Sequence, residues 1–232
     1  MIYITGDTHA TIDWEKINTT RFPEQRDLTK SDYLIILGDF GGVWDGGKQD
    51  RYVIKSYNSR NFTTLFIDGN HENHYLLDGF PVKEWNGGKV HYISDSVIHL
   101  MRGQVYTIDG IRFFTMGGAE SIDKIYRMEG VSWWARELPS YEEYEEALIN
   151  LEKVNYEVDV VLTHCAPEGY LGNQMTGISD RYSNSLTRFL DELITEHGLK
   201  FGHWYFGHYH MDMDLDEFSV LYDRMMRIKD KT

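Results

Sequence analysis

The sequence predicts an α/β fold organised on two stacked β-sheets, and three features of the 232-residue chain predict it. Short apolar runs at residues 1–5, 33–37 and 63–67 read as buried strands, set between polar stretches and helical spacings. From about residue 90 the pattern turns antiparallel: Val90 to Ile93, Val97 to Leu100, Val105 to Ile108 and Ile111 to Met116 read as strands. The last two flank Asp109-Gly110, a strong two-residue hairpin signal. Strand–helix alternation then resumes, and two stacked sheets accommodate both patterns.

In chain order, Trp14 and Ile17 stand at helical spacing and begin a short helix, followed by a loop around Pro23 in which Asp27 and Asp32 are expected to be solvated. Tyr52, Val53, Ser56 and Tyr57 mark a helix over 50–60 that packs on the sheet. Residues 75–86 read as a loop or short helix carrying Leu76, Leu77 and Phe80. A helix over 140–154 opens with the capping box Ser140/Glu143, and its apolar stripe is Tyr144, Ala147, Leu148, Leu151 and Val154. Residues 158–163 form a strand, a Gly/Asn/Ser-rich loop spans 169–184, and Leu186, Phe189, Leu190, Leu193 and Ile194 mark a further helix. Trp204 to Phe206 and Phe218 to Tyr222 are strands, and a charged tail closes the chain. His91, His99 and His203 are read as structural, and His74 as a surface residue or a support behind the site. No repeat, low-complexity tract or linker interrupts the sequence, so residues 1–232 are read as a single domain.

Five of the apolar runs stop at polar signals: Gly6-Asp7-Thr8-His9, Gly38-Asp39, Gly69-Asn70-His71-Glu72, Thr163-His164 and Gly207-His208-Tyr209-His210. These side chains are metal-ligand types, and a mixed His/Asp/Asn set suits Mn, Fe or Zn. Asp7, His9, Asp39, Asn70, His164, His208 and His210 are too many for one tetrahedral ion with an open position. They suit two ions roughly 3.5–4 Å apart that share one carboxylate, clamp a phosphate and activate water. His71 is then left for proton transfer, and Glu72 is read as supporting the site.

The ordered set Asp-x-His, Gly-Asp, Gly-Asn-His-Glu, lone His and Gly-His-x-His, from residue 4 to about residue 210, resembles the calcineurin-like metallophosphoesterases. The resemblance implies two mixed β-sheets packed as a sandwich flanked by helices, with a dimetal site at the strand C-terminal ends. It implies that Asp7, His9, Asp39 and His210 hold one metal and that Asp39, Asn70, His164 and His208 hold the other. Asp39 bridges the pair, and a metal-bridging hydroxide attacks phosphorus while His71 protonates the leaving oxygen. Mn is the first expectation among Mn, Zn, Fe and Ni. The Ser/Thr protein phosphatases of this superfamily carry an Asp and an Arg three and four residues after the bridging Asp, where this chain has Gly42 and Val43. Losing that Arg removes a bidentate phosphate clamp, and losing the Asp removes an orienter for His71, a role for which Asp45 is the nearest substitute. The departure favours a phosphodiesterase acting on a nucleotide, a nucleic-acid end or another small diester. A phosphomonoesterase (nucleotide or protein phosphatase) and a catalytically silent metal-binding scaffold are the alternatives.

Composition sets further bounds. The net charge of −14, from 23 basic and 37 acidic residues, opposes binding of long duplex nucleic acid. No apolar run approaches a membrane span, and the start shows no basic, apolar leader, so a cytoplasmic protein without membrane contact is expected. Cys165 is the only cysteine and is expected to be a small buried hydrophobe pointing away from the neighbouring His164 side chain. Oligomeric state is not legible. Residues 117–139 are the least typical segment: either a surface loop pinned by buried tryptophans, or a cap in which Trp133 or Trp134 stacks on a base and Arg127 or Arg136 binds phosphate. Arg181 and Arg188 are weaker candidates for substrate contact.

Overall fold

The computed structural model describes residues 1–170 and 182–228; Arg181 and most of the loop expected at 169–184 lie outside them. A seven-stranded sheet runs in the order β13-β1-β2-β3-β6-β5-β4, comprising β1 (Ile2–Thr5), β2 (Tyr33–Leu37), β3 (Thr63–Ile67), β4 (Val82–Trp85), β5 (Gly88–Ser94), β6 (Val97–Leu100) and β13 (Met226–Ile228). A six-stranded sheet runs in the order β11-β12-β10-β9-β8-β7, comprising β7 (Gln104–Ile108), β8 (Ile111–Met116), β9 (Val160–Thr163), β10 (His203–Phe206), β11 (Met213–Leu215) and β12 (Phe218–Val220). Each sheet has four parallel strands (β1, β2, β3, β6; β8, β9, β10, β12) with antiparallel strands outside them. This is the mixed two-sheet α/β architecture expected from the sequence.

Alternation along the strands decides which face meets which layer. Ile2, Ile4, Ile35, Leu37, Leu65 and Ile67 of one sheet pack against Phe113, Val160, Leu162 and Tyr205 of the other. The intervening Tyr3, Leu34, Ile36 and Phe66 turn outward onto Ile17, Phe22 and helix α1 (Lys48–Asn58) through Val53 and Tyr57. On the opposite outer face, Phe114, Val161, Trp204 and Phe206 pack against α3 (Tyr141–Glu152, after the short α2 at His74–Asp78) and α4 (Ser185–Thr195). Both faces of the central strands are therefore buried, which is why their sequences read as continuous apolar runs. Ser140 and Glu143 form the expected capping box on α3. Cys165 is buried and free. Among the described residues no helix is long and apolar enough to cross a membrane.

Several expectations need correction. The helix foreseen at Trp14 is a single 3-10 turn, Trp14–Ile17. Asp32 is not solvated: its carboxylate accepts from the N-terminal amine at 2.6 Å and from the Thr29 backbone and hydroxyl. Part of the stretch read as loop is β4, an edge strand hairpinned to β5 through Asn86-Gly87, both with left-handed φ. The charged tail contains β13, antiparallel to β1.

His74 is buried rather than at the surface, and belongs to a polar cluster around Asp68 at the end of β3. Arg102 donates to Asp68 through Nε (2.8 Å) and Nη2 (2.6 Å), and His99 Nε2 lies 3.2 Å from the same carboxylate. Burial opposes the charge on Asp68, but Arg102 and the two imidazoles hold its carboxyl well below the ordinary carboxylate range. A depressed folded-state value means this stabilisation is complete above the unfolded value of about 4 and is lost as pH falls from there. Arg102→Met is expected to destabilise the fold by about 3–5 kcal/mol at neutral pH, because it strands a buried charge. Urea denaturation checks this, and the gap from wild type should narrow on the acid side of about pH 4, where Asp68 protonates.

Candidate metal centre

The polar signals all fall at the C-terminal ends of parallel strands: Asp7 after β1, Asp39 after β2, Asn70 after β3, His164 after β9 and His208 after β10. In open α/β sheets this rim is where ligands gather. The two sheets face each other, so their rims lie side by side and one cluster draws from both. Close approach requires glycine here: a Cβ on Gly69 would lie 2.1 Å from Asp39 Oδ1, and one on Gly38 would lie 2.2 Å from His164 Nδ1. His9, Ala10, Asp39, His208 and His210 have left-handed φ, a conformation that L-residues adopt at some expense and that clusters at functional sites.

The donor atoms form two neighbouring groups. Those of Asp7, His9 and His210 lie within 4.8 Å of one another, and so do those of Asp39, His164 and His208; His9, Asp39 and His71 form an intermediate group. Asp7, Asp39, Asn70 and His164 are buried, while His210 is about half exposed. Among the described residues, four buried side-chain atoms in this cluster have no hydrogen-bond partner: Asp7 Oδ2, Asn70 Oδ1, His164 Nε2 and His208 Nε2. Buried polar atoms are ordinarily paired. Here the orphans are two oxygens and two imidazole nitrogens, the donor types a divalent transition metal takes. His164 Nε2 lies 3.3 Å from Asp39 Oδ1, but without hydrogen-bond alignment.

The supporting contacts aim these atoms. His164 Nδ1 bonds the Leu37 carbonyl at 2.6 Å, which leaves Nε2 facing the cluster. His9 Nδ1 bonds Asp13 Oδ2 at 2.7 Å, leaving Nε2 3.2 Å from Asp39 Oδ2. Asp13 is fixed in turn by the Tyr222 hydroxyl at 3.0 Å, and the Tyr222 ring stacks on His210. Asn70 donates its amide to Ser121 Oγ at 3.2 Å, so its oxygen is free to coordinate. Glu72 accepts from the backbone N–H groups of Gly41 (2.8 Å) and Gly69 (2.6 Å) and so ties the second and third signal loops together. Sequence reading missed Asp13, Ser121 and Tyr222, because none belongs to a motif.

Electrostatics follow from crowding. Burial alone would lower the His164 pKa, but Asp39 and Asp7 override it and push it up to about 10. At His9 burial is likewise overridden, by Asp39, Asp7 and Asp13, and the pKa rises to about 9. His208 is lowered to about 3 by burial and by the charge of His164. His71 is lowered by burial and by its cationic neighbours, against the pull of Asp39. The carboxylate pair thus makes a strongly cation-attracting centre, with His71 at its edge.

The other candidates separate clearly. Arg127 Nη2 donates to His71 Nε2 at 3.4 Å and also bonds Asp123 and the Ser132 carbonyl, so it stands at the site. Trp134 is buried, edge-on to Trp44, and it is Trp44 that lies parallel to the His71 ring. Trp133 is half-buried, with the Lys124 ammonium over its ring. Arg136 pairs with Glu143 at 2.8 Å and with Asp78. Asp45 Oδ1 accepts from Gly47 N, and the side-chain hydrogen bond found at the His71 ring comes from Arg127. Arg188 sits on α4, with Nη1 3.5 Å from the Ser183 hydroxyl.

Comparison with known proteins agrees with this geometry. The chain is 29% identical over 183 residues to the lariat debranching enzyme of Schizosaccharomyces pombe, a match covering 72% of this chain and 36% of the relative. It is 28% identical over 125 residues to lariat debranching enzyme A of Xenopus laevis, covering 47% and 23%. The matched region is about a third of the length of the first relative and a quarter of the second. A family model described as calcineurin-like phosphoesterase matches residues 1–212. That family hydrolyses phosphoric esters with a dinuclear divalent metal site. With nearly its whole length matched and its ligand-type residues gathered at one rim, the chain belongs to the calcineurin-like phosphoesterase family.

Proposed function

We propose that this protein is a dinuclear-metal phosphodiesterase acting on a nucleotide or another small diester. The observation that carries the reading is that four buried ligand-type atoms, Asp7 Oδ2, Asn70 Oδ1, His164 Nε2 and His208 Nε2, have no hydrogen-bond partner among the described residues and stand at the rim that also holds Asp39. Asp7, His9, Asp39 and His210 would hold one ion, and Asp39, Asn70, His164 and His208 the other, with manganese the first choice. Two divalent ions there would polarise the phosphoryl oxygens and supply an activated water.

The chain's own residues do the rest. Asp39, fixed by the His71 backbone N–H at 2.7 Å, is held between the two ligand groups. His71 gives a proton to the leaving oxygen. In the free site its Nε2 accepts from Arg127. An arriving phosphoryl group would take that guanidinium hydrogen bond, and its negative charge would favour the protonated imidazole that the step needs. The segment 117–139 would then act as a cap that delivers Arg127, with Trp134 as the buried pin beneath it.

Two observations favour a diester. Gly42 and Val43 stand where a monoester-binding Arg and its partner would be expected. The relatives are named for debranching, and in a phosphoesterase a link between two joined chains is a diester. The −14 charge argues for a small substrate or a strand end over long duplex.

Four results test this. With matched aryl diester and monoester substrates and manganese-reloaded protein, the diester is expected to be preferred; a monoester preference overturns the choice. Asp39→Ala should lose both metal loading and turnover, and full activity in that variant would refute a two-metal site. His71→Ala should lower kcat by about 10²–10⁴-fold on an alkyl leaving group but far less on 4-nitrophenolate, which departs without a proton. Equal losses on both would assign His71 another role. Asp13→Ala should weaken manganese affinity by about 10–100-fold, read by calorimetry, because His9 loses the contact that orients it.

A further inference from the structure

A pocket of about 300 Å³ opens beside the metal centre, and the reading above leaves it unused. His9 and His71 line its inner end, so it is continuous with the place where the ester bond would break. If His71 donates its proton to the leaving oxygen, the group attached to that oxygen extends along the His71 side, into this pocket. The inference rests on that hydrolase reading.

The walls define the chemistry. Trp44 is half-buried, and its ring lies within 19° of the His71 plane. Ile12 stands at the rim, 77% exposed. Between them the wall is nearly bare backbone: Gly41 has φ +71°, and a Cβ there would lie 2.4 Å from Ala10 N. Flat and apolar surfaces of this kind suit a ring. Among the described residues no Lys or Arg lines the pocket; beyond His9 and His71, its charged members are Asp45 and Asp50. Asp50 accepts from the backbone N–H groups of Trp44, Asp45 and Gly46 at 2.7–2.9 Å, which fixes the loop carrying Trp44. Positive charge is thus confined to the side next to the metal centre, and an anionic group elsewhere in the pocket would meet carboxylates without a side-chain cation. The volume is at the lower end of the range of about 300–1,000 Å³ for ligand pockets, enough for one ring system.

We propose that this pocket seats an uncharged planar ring of the nucleoside class on the leaving side of the phosphoester. Trp44 and Ile12 would then set leaving-group specificity, whereas the segment 117–139 contacts the phosphoryl group.

Two experiments test it. Saturation-transfer NMR on zinc-loaded protein, with adenosine and adenosine 5′-monophosphate in parallel, needs no turnover. Transfer to the ring protons of both is expected, with the monophosphate displacing adenosine because its phosphate reaches the metals, and loss of the adenosine signal in Ile12→Glu; Ile12 is exposed enough for that variant to fold. No transfer to adenosine, or transfer unaffected by Ile12→Glu, would overturn the pocket assignment. Hydrolysis of two methyl diesters, one with a nucleoside leaving group and one with cyclohexanol, then tests its side. The ratio of kcat/KM should favour the nucleoside, and Trp44→Ala should reduce that ratio by about 5- to 100-fold, the usual range for one lost base–aromatic stack. An unchanged ratio would place the ring elsewhere. Adenosine binding without hydrolysis of either ester would refute the hydrolase reading and the leaving-side assignment with it.

Discussion

The Asp39 carboxylate is 1% exposed, yet its pKa lies well below the ordinary carboxylate value. Burial pushes the other way, and His164, His9 and His71 together prevail. A buried charge of this kind persists only when it is paired and hydrogen-bonded. The chain meets the requirement by bringing three other loops against one residue. His71 N donates to Oδ1, His9 and His164 stand at 3.2 and 3.3 Å, and the Asp39 carbonyl accepts from the N–H groups of Thr8 and His9. The left-handed φ at Asp39 and the missing side chain at Gly69 are consequences of the same crowding. The rims of both sheets must be in register for these contacts to exist, so the sandwich and the centre constrain each other.

A second buried carboxylate, Asp68, shows how the same residue types serve a different end. It precedes the Gly69-Asn70-His71 loop, and its carbonyl accepts from Gly118 N. Its partner Arg102 also donates to the carbonyls of Arg136 and Glu137. Glu137 accepts from Ser121, whose hydroxyl receives the Asn70 amide. The network therefore links the loop carrying Asn70 and His71 to both ends of the segment that carries Arg127. In that network His99 is bonded at both ring nitrogens and His74 at Nε2, leaving the single orphan His74 Nδ1, whereas at the rim four ligand-type atoms are orphaned together among the described residues. That contrast, more than histidine count, separates scaffold from site.

Much of this was legible because the relevant signals are local. Buried parallel strands read as apolar runs, and each ends in a short polar signal, so Asp7, Asp39, Asn70, His164 and His208 could be placed on one rim before any contact was known. The edge strands of the seven-stranded sheet were not legible. Val82–Trp85 carries Lys83 and Glu84 and has little apolar pattern, and Met226–Ile228 is three residues long. Asn86-Gly87 is a hairpin signal, but no apolar strand before it supplies a context. The supports of the site, Asp13, Tyr222 and Ser121, are set by tertiary packing between residues as much as 209 apart, and no spacing encodes that. Of the two readings of 117–139, Trp134 fits the buried pin, while Trp44, which no motif marks, lies at the site.

The loop after Asp39 shows what the departure at Gly42 and Val43 does physically. Val43 is buried among Phe40, Tyr57 and Leu77, so an arginine there would place a charge in the apolar layer under α1. A Cβ on Gly42 would lie 2.3 Å from the Phe40 ring, so this packing also leaves no room for an acid at that position. The loop is instead held from below by Asp50 and presents Trp44 beside His71. The cation near His71 comes from the other sheet's side, as Arg127. One loop has thus exchanged a charged face for an aromatic one, and a separate segment restores the positive charge from a different direction. On the proposed reading, a site so divided would bind the phosphoryl group from one side and the attached group from the other. That separation suits an ester with two distinct substituents better than a terminal phosphate.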